Sequence, residues 1–379
     1  MNSEYRAQID RIDDEIVKLF AERMDVAGKI ADYKKENNLP ITDTVREKQK
    51  VRDLLEKSPE KYRDYVRLLY SEIFELSKSL QRKQNAEGSG LTAKILSAID
   101  NTGKMLPAGA SVACQGTGGA FAEQACEKIF KHPNIMFFSS FEAVFTAVEK
   151  GLCSYGVVPL ENSTAGSVNT VYDLMLSHKF SIVRSTRLKV DHNLLVKPGV
   201  KLSEIKEIYS HQQAISQCEG FLATLSGVKI IPCENTAVAA QMVARSEDRG
   251  IAALASRACI RNYGLECIKE SVQDKGNNYT RFICISRNLE IYPGADRTSF
   301  MATLPHEPGS LYRLLSRFNA LEINLNKLES RPLPDRDFEF MFYFDLDTPV
   351  YSAEFIQLMN ELEEVCESCY YLGSYSEVI

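Results

Sequence analysis

The stretch VQDKGNNYTRFICIS (residues 272–286) places a hydroxyl and a fixed cation side by side. Its first half is polar and turn-like, whereas residues 282–286 have the apolar composition of a buried strand. Thr280 and Arg281 therefore stand at the start of a strand. An ordinary strand start does not need both of these side chains, so the rest of the chain must decide what they are for.

A second group of candidate residues interrupts the apolar stripe of the first predicted helix. Arg23 occupies a position of the stripe, and Lys34 lies on the same face, roughly 16 Å further along the axis. Cations on an apolar stripe are costly unless they meet anions, so the pattern fits either an interhelical ion pair or an anion-binding pocket. Four more polar residues border the neighbouring helices: Asp43, Glu47, Ser77 and Gln81.

Polar segments also follow apolar runs in the middle of the chain. Four of them lead into predicted helix starts: VVPLENSTAGS, IYSHQQAISQC, IIPCENTAVAA and ACQGTGGAFAEQA. One such segment is more often an ordinary helix cap, but four at the carboxyl ends of strands favour ligand binding. The loop with Gly116, Gly118 and Gly119 has Phe121 at the third glycine position of G-x-G-x-x-G, which disfavours a dinucleotide site.

Three helices are predicted over residues 1–84 from the spacing of their apolar residues. The first ends before Pro40, a capping box from Thr44 to Glu47 opens the second, and the third opens at Ser58–Pro59. Three helices with narrow apolar stripes make a small core, so we expect this region to dimerise.

The rest of the chain has two further patterns. NAEGSG begins a predicted linker over residues 85–108. From 109 to 287, short β-rich runs alternate with helical patterns, which predicts α/β layers with a largely parallel sheet. From 298 to 379 the pattern reads βαββαβ, a ferredoxin-like α+β unit. We therefore expect a multidomain protein.

Composition narrows the class of protein. The chain of 379 residues is 44% apolar and 25% charged, as in globular proteins, and its net charge of -6 argues against nucleic-acid binding. It has no apolar run of about 18 residues and no apolar segment near its N-terminus, so neither a membrane span nor a signal peptide is predicted. The ten scattered cysteines favour reduced thiols in a cytoplasmic protein, and the pair Cys366 and Cys369 lacks a second pair for a metal site.

The helical segment resembles the all-helical chorismate mutase family over its full length, most clearly in AERMDVAGKIADYK and ITDTVRE. The resemblance implies an intertwined dimer that rearranges chorismate to prephenate, a pericyclic step that needs no metal or cofactor. Lys34 and Gln81 would donate to the ether oxygen, and Arg6 and Arg23 would bind carboxylates, with Arg6 reaching the partner's site. The matching positions are Arg6, Arg23, Lys34, Asp43, Glu47, Ser77 and Gln81. This full set favours the pocket over the ion pair, with Glu47 and Ser77 orienting the substrate.

Most of residues 109–287 resemble prephenate dehydratase, through VVPLENS, SHQQAISQC, ALASRACIRNYGL and NYTRFICIS. The resemblance implies an α/β domain of two lobes shaped like periplasmic solute-binding domains, with the Thr-Arg-Phe triplet in the cleft. Thr280 would be the catalytic residue that helps the prephenate hydroxyl leave, and Arg281 would pair a carboxylate. Further expected wall residues are Asn162, Ser163, Thr164, Thr236 and Phe282.

The sequence departs from the dehydratase pattern at two places. The family's first loop usually reads Gly-Pro-x-Gly-Thr-Phe, whereas CQGTGGAF lacks the proline and has Ala120 in place of the threonine. Thr117 is the candidate to supply the missing hydroxyl. Gln212 stands where a proline is usual.

The C-terminal segments HEPGSLYRLLSRF and INLNKLESRPLP resemble the ACT regulatory domain attached to prephenate dehydratases. The resemblance implies feedback inhibition by L-phenylalanine, bound where two such domains pair. Fold alone also accounts for part of the pattern, since a glycine and serine start a helix and Pro332 ends a strand. Ser310 replaces a commoner alanine, and Asn326 a commoner threonine. The expected effector positions are Gly309, Ser310, Leu311, Glu329, Ser330 and Arg331.

Together the resemblances predict a bifunctional isomerase and lyase of phenylalanine biosynthesis, a dimer or tetramer that uses no cofactor. An alternative from another class is a ligand-binding regulator that joins the same three modules without turnover. Two closer alternatives are an enzyme with one live site and a preference for arogenate over prephenate. The complete set of mutase polar positions argues against the regulator, because a dimerisation module has no need of it.

Overall fold

The computed structural model describes residues 3–37, 39–40, 43–85, 90–333 and 339–379. The chain divides into two compact units. The helical unit comprises Met1–Lys94, Leu304–Glu322 and Ala353–Ser368, and the α/β unit comprises Ile95–Thr303, Ile323–Ser352 and Cys369–Ile379.

The helices in chain order are α1 (Ser3–Glu36), α2 (Thr44–Lys57), α3 (Arg63–Asn85), α4 (Gly90–Asn101), α5 (Phe121–Ile129), α6 (Phe141–Glu149), α7 (Asn169–Ser177), α8 (Gln212–Gln217), α9 (Glu219–Leu222), α10 (Thr236–Arg245), α11 (Ala258–Tyr263), α12 (Ser310–Ala320) and α13 (Ala353–Val365). Single 3-10 turns occupy Glu60–Tyr62 and Leu202–Glu204.

The strands are β1 (Ser111–Gln115), β2 (Asn134–Phe138), β3 (Tyr155–Asn162), β4 (Gly166–Ser167), β5 (Ser181–Lys189), β6 (Asn193–Val196), β7 (Glu207–His211), β8 (Lys229–Cys233), β9 (Ile251–Ala255), β10 (Glu266–Lys269), β11 (Tyr279–Ser286), β12 (Arg297–Thr303), β13 (Asn324–Pro332), β14 (Phe340–Asp347), β15 (Ser368–Tyr375) and β16 (Glu377–Val378).

Helix α1 packs along α3 through its small residues. Ala27, Gly28 and Ala31 are buried, which lets the two helix backbones approach closely. The predicted apolar stripe of α1 is not buried by this contact: Ile9, Ile12, Ile16, Leu19, Val26, Ile30 and Tyr33 are each at least 43% exposed. The stripe therefore lies outside the core that this chain builds by itself.

Two helix starts differ from their predicted positions. Asp43, not Thr44, caps α2, because its side chain accepts a hydrogen bond from the backbone N–H of Arg46. The Ser58–Pro59 pair closes α2 and leads into a 3-10 turn, so α3 begins only at Arg63.

The predicted linker contains a helix. Residues 86–89 of NAEGSG lie outside the described residues, but α4 covers half of the segment between 85 and 108. Ile95 and Ala98 of α4 are buried, three residues apart, and this short apolar face explains the helix.

The α/β unit contains two lobes with mixed sheets, so the prediction of a largely parallel sheet is wrong in this respect. The first sheet has the order β16-β5-β11-β3-β1-β2, with β4 on β3, and the second has the order β10-β6-β9-β7-β8. In the first sheet β11 runs antiparallel to both neighbours, and in the second β6 does. The chain enters the second lobe on β6 and returns to the first lobe on β11. Each of these two strands therefore begins at the edge of its sheet where the neighbouring strands end.

Strand β11 is buried on both faces. Phe282 and Cys284 enter a core that contains α5, whereas Ile283 and Ile285 enter a core that contains α6 and α7. Successive side chains of a strand point to opposite faces, which fixes the direction of Thr280 and Arg281 as well.

The C-terminal elements follow the predicted βαββαβ order. Their strands form a four-stranded sheet in the order β13-β14-β12-β15, and β14 is antiparallel to both β12 and β13. This is the strand order of a ferredoxin-like unit.

Within the described residues, no helix is long and apolar enough to cross a bilayer. None of the ten cysteines, all of which lie among the described residues, forms a disulfide.

Candidate active sites

A cavity of about 590 Å³ lies among α1, α2 and α3. It brings together six of the predicted residues: Arg23, Lys34, Asp43, Glu47, Ser77 and Gln81. Arg46, Lys50 and Lys78 also line it, so five cations stand against two carboxylates in the wall. The balance of charge suits a ligand with two negative charges.

Arg23 is held in the cavity by two contacts. Its guanidinium donates to Ser77 Oγ and lies 5.5 Å from the centre of the Phe74 ring. Ser77 Oγ in turn donates to the Ile73 carbonyl at 2.7 Å, one helical turn earlier. Burial lowers the pKa of Arg23 from its ordinary value. Ser77 therefore orients the cation and lines the cavity at the same time.

Gln81 lines this cavity and carries a buried polar atom without a partner among the described residues. The side chain is 7% exposed, and its Oε1 has no hydrogen-bond partner in the part of the chain that the structure describes. A buried amide without a partner is costly unless a ligand supplies one.

The two carboxylates of the cavity have different surroundings. Asp43 is committed to the α2 cap, whereas Glu47 Oε2 lies 3.4 Å from Lys78 Nζ. Arg6 lies on an exposed part of α1 and is not among the residues that line this cavity.

In the α/β unit, Thr280 lies at the start of β11 directly opposite Asn162 at the end of β3. Because β11 is antiparallel, its first residues stand beside the carboxyl end of its neighbour. Asn162 Nδ2 donates to Thr280 Oγ1 at 2.9 Å and to Asn278 Oδ1 at 2.7 Å.

The orientation of the Asn162 amide is fixed by its oxygen. Asn162 Oδ1 accepts from the Thr164 hydroxyl at 2.7 Å and from the backbone N–H groups of Thr164 and Ala165. The amide nitrogen must then point at Thr280. Thr280 Oγ1 accepts that hydrogen bond and keeps its own proton for another acceptor.

Residues of the second lobe complete the network. Gln217 Nε2 donates to Thr164 Oγ1 at 3.0 Å, and Gln217 Oε1 accepts from Asn278 Nδ2 and from His192 Nε2, each at 2.9 Å. Burial lowers the pKa of His192, which favours the neutral ring, and its Nδ1 has no partner among the described residues. A cavity of about 280 Å³ opens beside Thr164, Gln217 and Asn278.

Sequence reasoning missed Asn278, Gln217 and His192. Asn278 had a detectable signal, since it lies two residues before Thr280 and so shares its face of the strand. Gln217 lies within the quoted segment SHQQAISQC but was not singled out there, and His192 lies outside every quoted segment.

The glycine loop of the first lobe contacts α11 of the second. Tyr263 OH donates to the Gly118 carbonyl and Ser256 Oγ to the Gly119 carbonyl, each at 2.6 Å. Gly119 has φ +88°, and a Cβ there would lie 2.5 Å from Cys259 Sγ, so only glycine fits. Thr117, the candidate replacement for the missing hydroxyl, lies half-buried in this loop.

Arg281 requires a correction. Its side chain points to the opposite face from Thr280, is 5% exposed, and pairs with Asp345, which is fully buried. Nη2 also donates to Tyr375 OH at 3.1 Å, and Glu161 lies 3.5 Å from Nη1. Arg281 does border a cavity of about 610 Å³, but its charge is already neutralised, so it is not placed as a carboxylate clamp beside Thr280.

The other residues predicted to line the cleft lie in different environments. Phe282 belongs to the buried core beneath α5, which corrects its assignment to the cleft. Ser163 Oγ donates to the Asn277 carbonyl and accepts from the backbone N–H of Tyr279, so it joins the two chain segments of the site. Thr236 is the first residue of α10, behind the Asn235 cap, and no hydrogen bond within the described residues joins it to the Thr280 network.

Three of the four polar segments run from strand to helix as predicted, at β1–α5, β7–α8 and β8–α10. The fourth is different, because β3 leads through a turn into β4 before α7 begins. That turn is the segment from Asn162 to Ala165 described above.

The predicted effector residues lie in both units. In the helical unit, Gly309 caps α12 with φ +88°, and Ser310 Oγ donates to the Glu307 carbonyl. In the α/β unit, Glu329 accepts from Ser167 Oγ, and Arg331 forms two hydrogen bonds to Asp173, at 2.7 and 2.9 Å. Leu311 is half-buried and Ser330 is exposed.

The fold and the two polar sites define a multidomain enzyme with one site in helices and another between α/β lobes. Family models support this division: chorismate mutase type II matches residues 5–82 and prephenate dehydratase matches 112–290.

Known relatives extend the match over the whole chain. A bifunctional chorismate mutase/prephenate dehydratase of Buchnera aphidicola is 31% identical over 382 residues, 98% of this chain and 95% of that protein. An arogenate dehydratase/prephenate dehydratase of Arabidopsis thaliana is 37% identical over 281 residues, 70% of this chain and 71% of that protein. The structure of a prephenate dehydratase from Arthrobacter aurescens with L-Phe matches at a TM-score of 0.64 and 26% identity, over 70% of this chain and 90% of that chain. The chain belongs to the bifunctional chorismate mutase/prephenate dehydratase family, and it is both an isomerase and a lyase.

The corrected role of Arg281 can be tested by stability. Arg281→Ala is expected to lower the free energy of unfolding by about 3–5 kcal/mol, because it leaves Asp345 buried and unpaired. Chemical denaturation measures the loss. Arg257→Ala, which removes an exposed partner of Glu270, is the control and should cost less than about 1 kcal/mol. Unchanged stability with a raised KM for prephenate would instead support the carboxylate clamp.

Proposed function

We propose that the two activities act in succession and are divided between the two sites: the helical cavity rearranges chorismate, and the Thr280 network converts the resulting prephenate to phenylpyruvate. The observation that carries the proposal is the meeting of polar residues from distant segments at each site. Six predicted mutase residues line one cavity, and Thr280 is hydrogen-bonded to Asn162.

In the helical cavity, catalysis rests on conformation and charge. Chorismate carries two carboxylates, for which Arg23 and the other cations of the wall provide partners. Electron density grows on the ether oxygen as the bond breaks, and Lys34 and the amide of Gln81 stabilise it. Glu47 accepts from the substrate hydroxyl and so selects the compact conformer. Arg6 acts in the partner's cavity.

At Thr280, the reaction removes carbon dioxide and the ring hydroxyl from prephenate. The ring–carboxylate bond breaks, its electron pair enters the ring, and the hydroxyl leaves as the ring becomes aromatic. Thr280 donates a hydrogen bond to the departing oxygen, since Asn162 already occupies the acceptor side of its hydroxyl. The departing hydroxide takes up a proton to become water.

The regulatory part of the proposal concerns the βαββαβ unit. We assign it as an ACT domain over 298–379 that binds L-phenylalanine at Gly309–Leu311 and Glu329–Arg331. The L-Phe in the Arthrobacter aurescens structure and the ferredoxin-like strand order support this assignment. The other proposed bounds are 1–84 for the mutase domain, 85–108 for the connection and 109–287 for the dehydratase domain, whose lobes we assign to the periplasmic-binding type.

The proposed assembly is a homo-oligomer, a dimer or tetramer, in the cytoplasm. The exposed apolar stripe of α1 supports dimerisation, because burying such side chains against a second copy is favourable. Pairing of ACT domains would supply a second contact.

Arogenate is a second candidate substrate of the lyase site, because the Arabidopsis thaliana relative is named for both dehydratase activities. Assaying prephenate and arogenate side by side distinguishes the two.

Thr280→Ala should reduce phenylpyruvate formation from prephenate by about 100-fold or more, because the donor to the leaving oxygen is lost. Chorismate consumption should stay within about twofold of the wild type. Thr280→Ser keeps a hydroxyl and serves as the matched control, with a smaller loss. Equal loss of both activities would refute the division of labour.

Lys34→Ala should have the reverse effect. Loss of the cation at the ether oxygen is expected to slow chorismate consumption by about 100-fold or more, while added prephenate is still converted. Lys35→Ala is the matched control, since Lys35 is the exposed neighbour on the same helix and does not line the cavity. A variant at Lys34 that consumes chorismate at the wild-type rate would contradict the assignment.

Arg331→Ala should raise the L-phenylalanine concentration for half-inhibition of the dehydratase by about tenfold or more, with uninhibited turnover nearly unchanged. Asp173→Asn keeps Arg331 but removes its ion-pair partner in α7. This variant therefore distinguishes the loss of effector binding from the loss of the ion pair. Unaltered inhibition in Arg331→Ala would overturn the effector assignment.

A further inference from the structure

Lys78 connects the mutase cavity to Glu75, which lies one turn earlier on α3 and outside the cavity lining. Its Nζ lies 3.4 Å from Glu47 Oε2, which lines the cavity, and 2.5 Å from Glu75 Oε1, one turn earlier on α3. The ammonium is thus shared between two carboxylates, of which the one outside the cavity is closer.

Glu75 is in turn held by a helix from a distant part of the sequence. Arg317 of α12 donates through Nη2 to Glu75 Oε2 at 2.5 Å and through Nη1 to the Glu75 carbonyl at 3.2 Å. Arg317 is only 4% exposed, and Glu361 of α13 lies 3.6 Å from its Nε. Ser79 of α3 donates to Glu361 at 2.7 Å, so two helices of the C-terminal segment contact α3 here.

The line of charges from Arg317 through Glu75 and Lys78 to Glu47 has a defined electrostatic consequence. Arg317 neutralises Glu75 and so limits how strongly Glu75 attracts Lys78. Without Arg317, Glu75 would draw the ammonium towards itself and leave Glu47 less compensated. In a partly buried site such a change is weakly screened, and it acts on a carboxylate that faces a dianionic substrate.

We propose that Lys78 is a positioning residue for Glu47 and that Arg317 of α12 sets its position through Glu75. The inference rests on the proposed role of the helical cavity as the mutase site. It makes chorismate binding depend on a helix that lies more than 200 residues from the mutase domain in the sequence and begins at the proposed effector positions.

A double-mutant cycle in the full-length protein tests whether Arg317 acts on Lys78 and Glu47 through Glu75. Arg317→Gln should raise the KM for chorismate about three- to tenfold with a smaller change in kcat, because Glu47 is misplaced and less compensated. Conversion of added prephenate by the same preparation should stay within about twofold. Arg317→Lys, which keeps the charge, should recover most of the loss.

Glu75→Gln supplies the other arm of the cycle. It releases Lys78 towards Glu47 and should change the KM for chorismate on its own. In this background Arg317→Gln should have little further effect, because the carboxylate through which Arg317 acts is gone. Glu75→Gln is nearly isosteric, so it also tests the proposed coupling through Glu75 if Arg317→Gln folds poorly.

Arg67→Gln is the control on the same helix, since its ion pair with Asp64 is exposed and neither residue lines the cavity. Four results would overturn the inference: no change in chorismate KM for Arg317→Gln, no change for Glu75→Gln, additive effects in the double variant, or equal loss of both enzyme activities. A wild-type protein that fails to consume chorismate would instead overturn the proposed function, and this inference with it.

Discussion

Strand β11 presents a polar residue on one face and a buried cation on the other. The buried ion pair of Arg281 with Asp345 is what stabilises this arrangement. Thr280 faces the polar network between the lobes, while the next residue carries a charge into the interior. A buried guanidinium needs a close anion and hydrogen-bond acceptors, and Asp345 supplies these at Nη1 while Tyr375 accepts from Nη2. The strand that presents the proposed catalytic hydroxyl is thereby fixed to the four-stranded sheet of the C-terminal segment.

The helical unit repeats this arrangement with different residues. Arg317 is the buried cation, Glu75 and Glu361 are its anions, and α3 is the element that they hold. Each catalytic region is thus tied by a buried ion pair to an element of the βαββαβ segment: a strand in one unit and a helix in the other. Removing one partner of such a pair leaves an uncompensated charge, so these contacts are sensitive to small displacements.

Much of this architecture could be predicted from sequence because it depends on local patterns. Arg23 and Lys34 were detectable as charges on an apolar helical stripe, and the triplet at Thr280 as polar residues at a strand start. The role of Arg281 was not, because its partner Asp345 lies on another sheet and no local pattern links them. The mixed sheets escaped prediction for a similar reason: β6 and β11 read as ordinary strands, and only the crossing between lobes sets their direction.

The central claim is that one chain carries two working sites that act in succession. Incubating the purified protein with chorismate alone, without added metal or nucleotide, and following chorismate and phenylpyruvate together tests it most directly. If both sites work in succession, chorismate disappears and phenylpyruvate accumulates after transient prephenate. Persistence of chorismate, or prephenate that accumulates without further conversion, would contradict it.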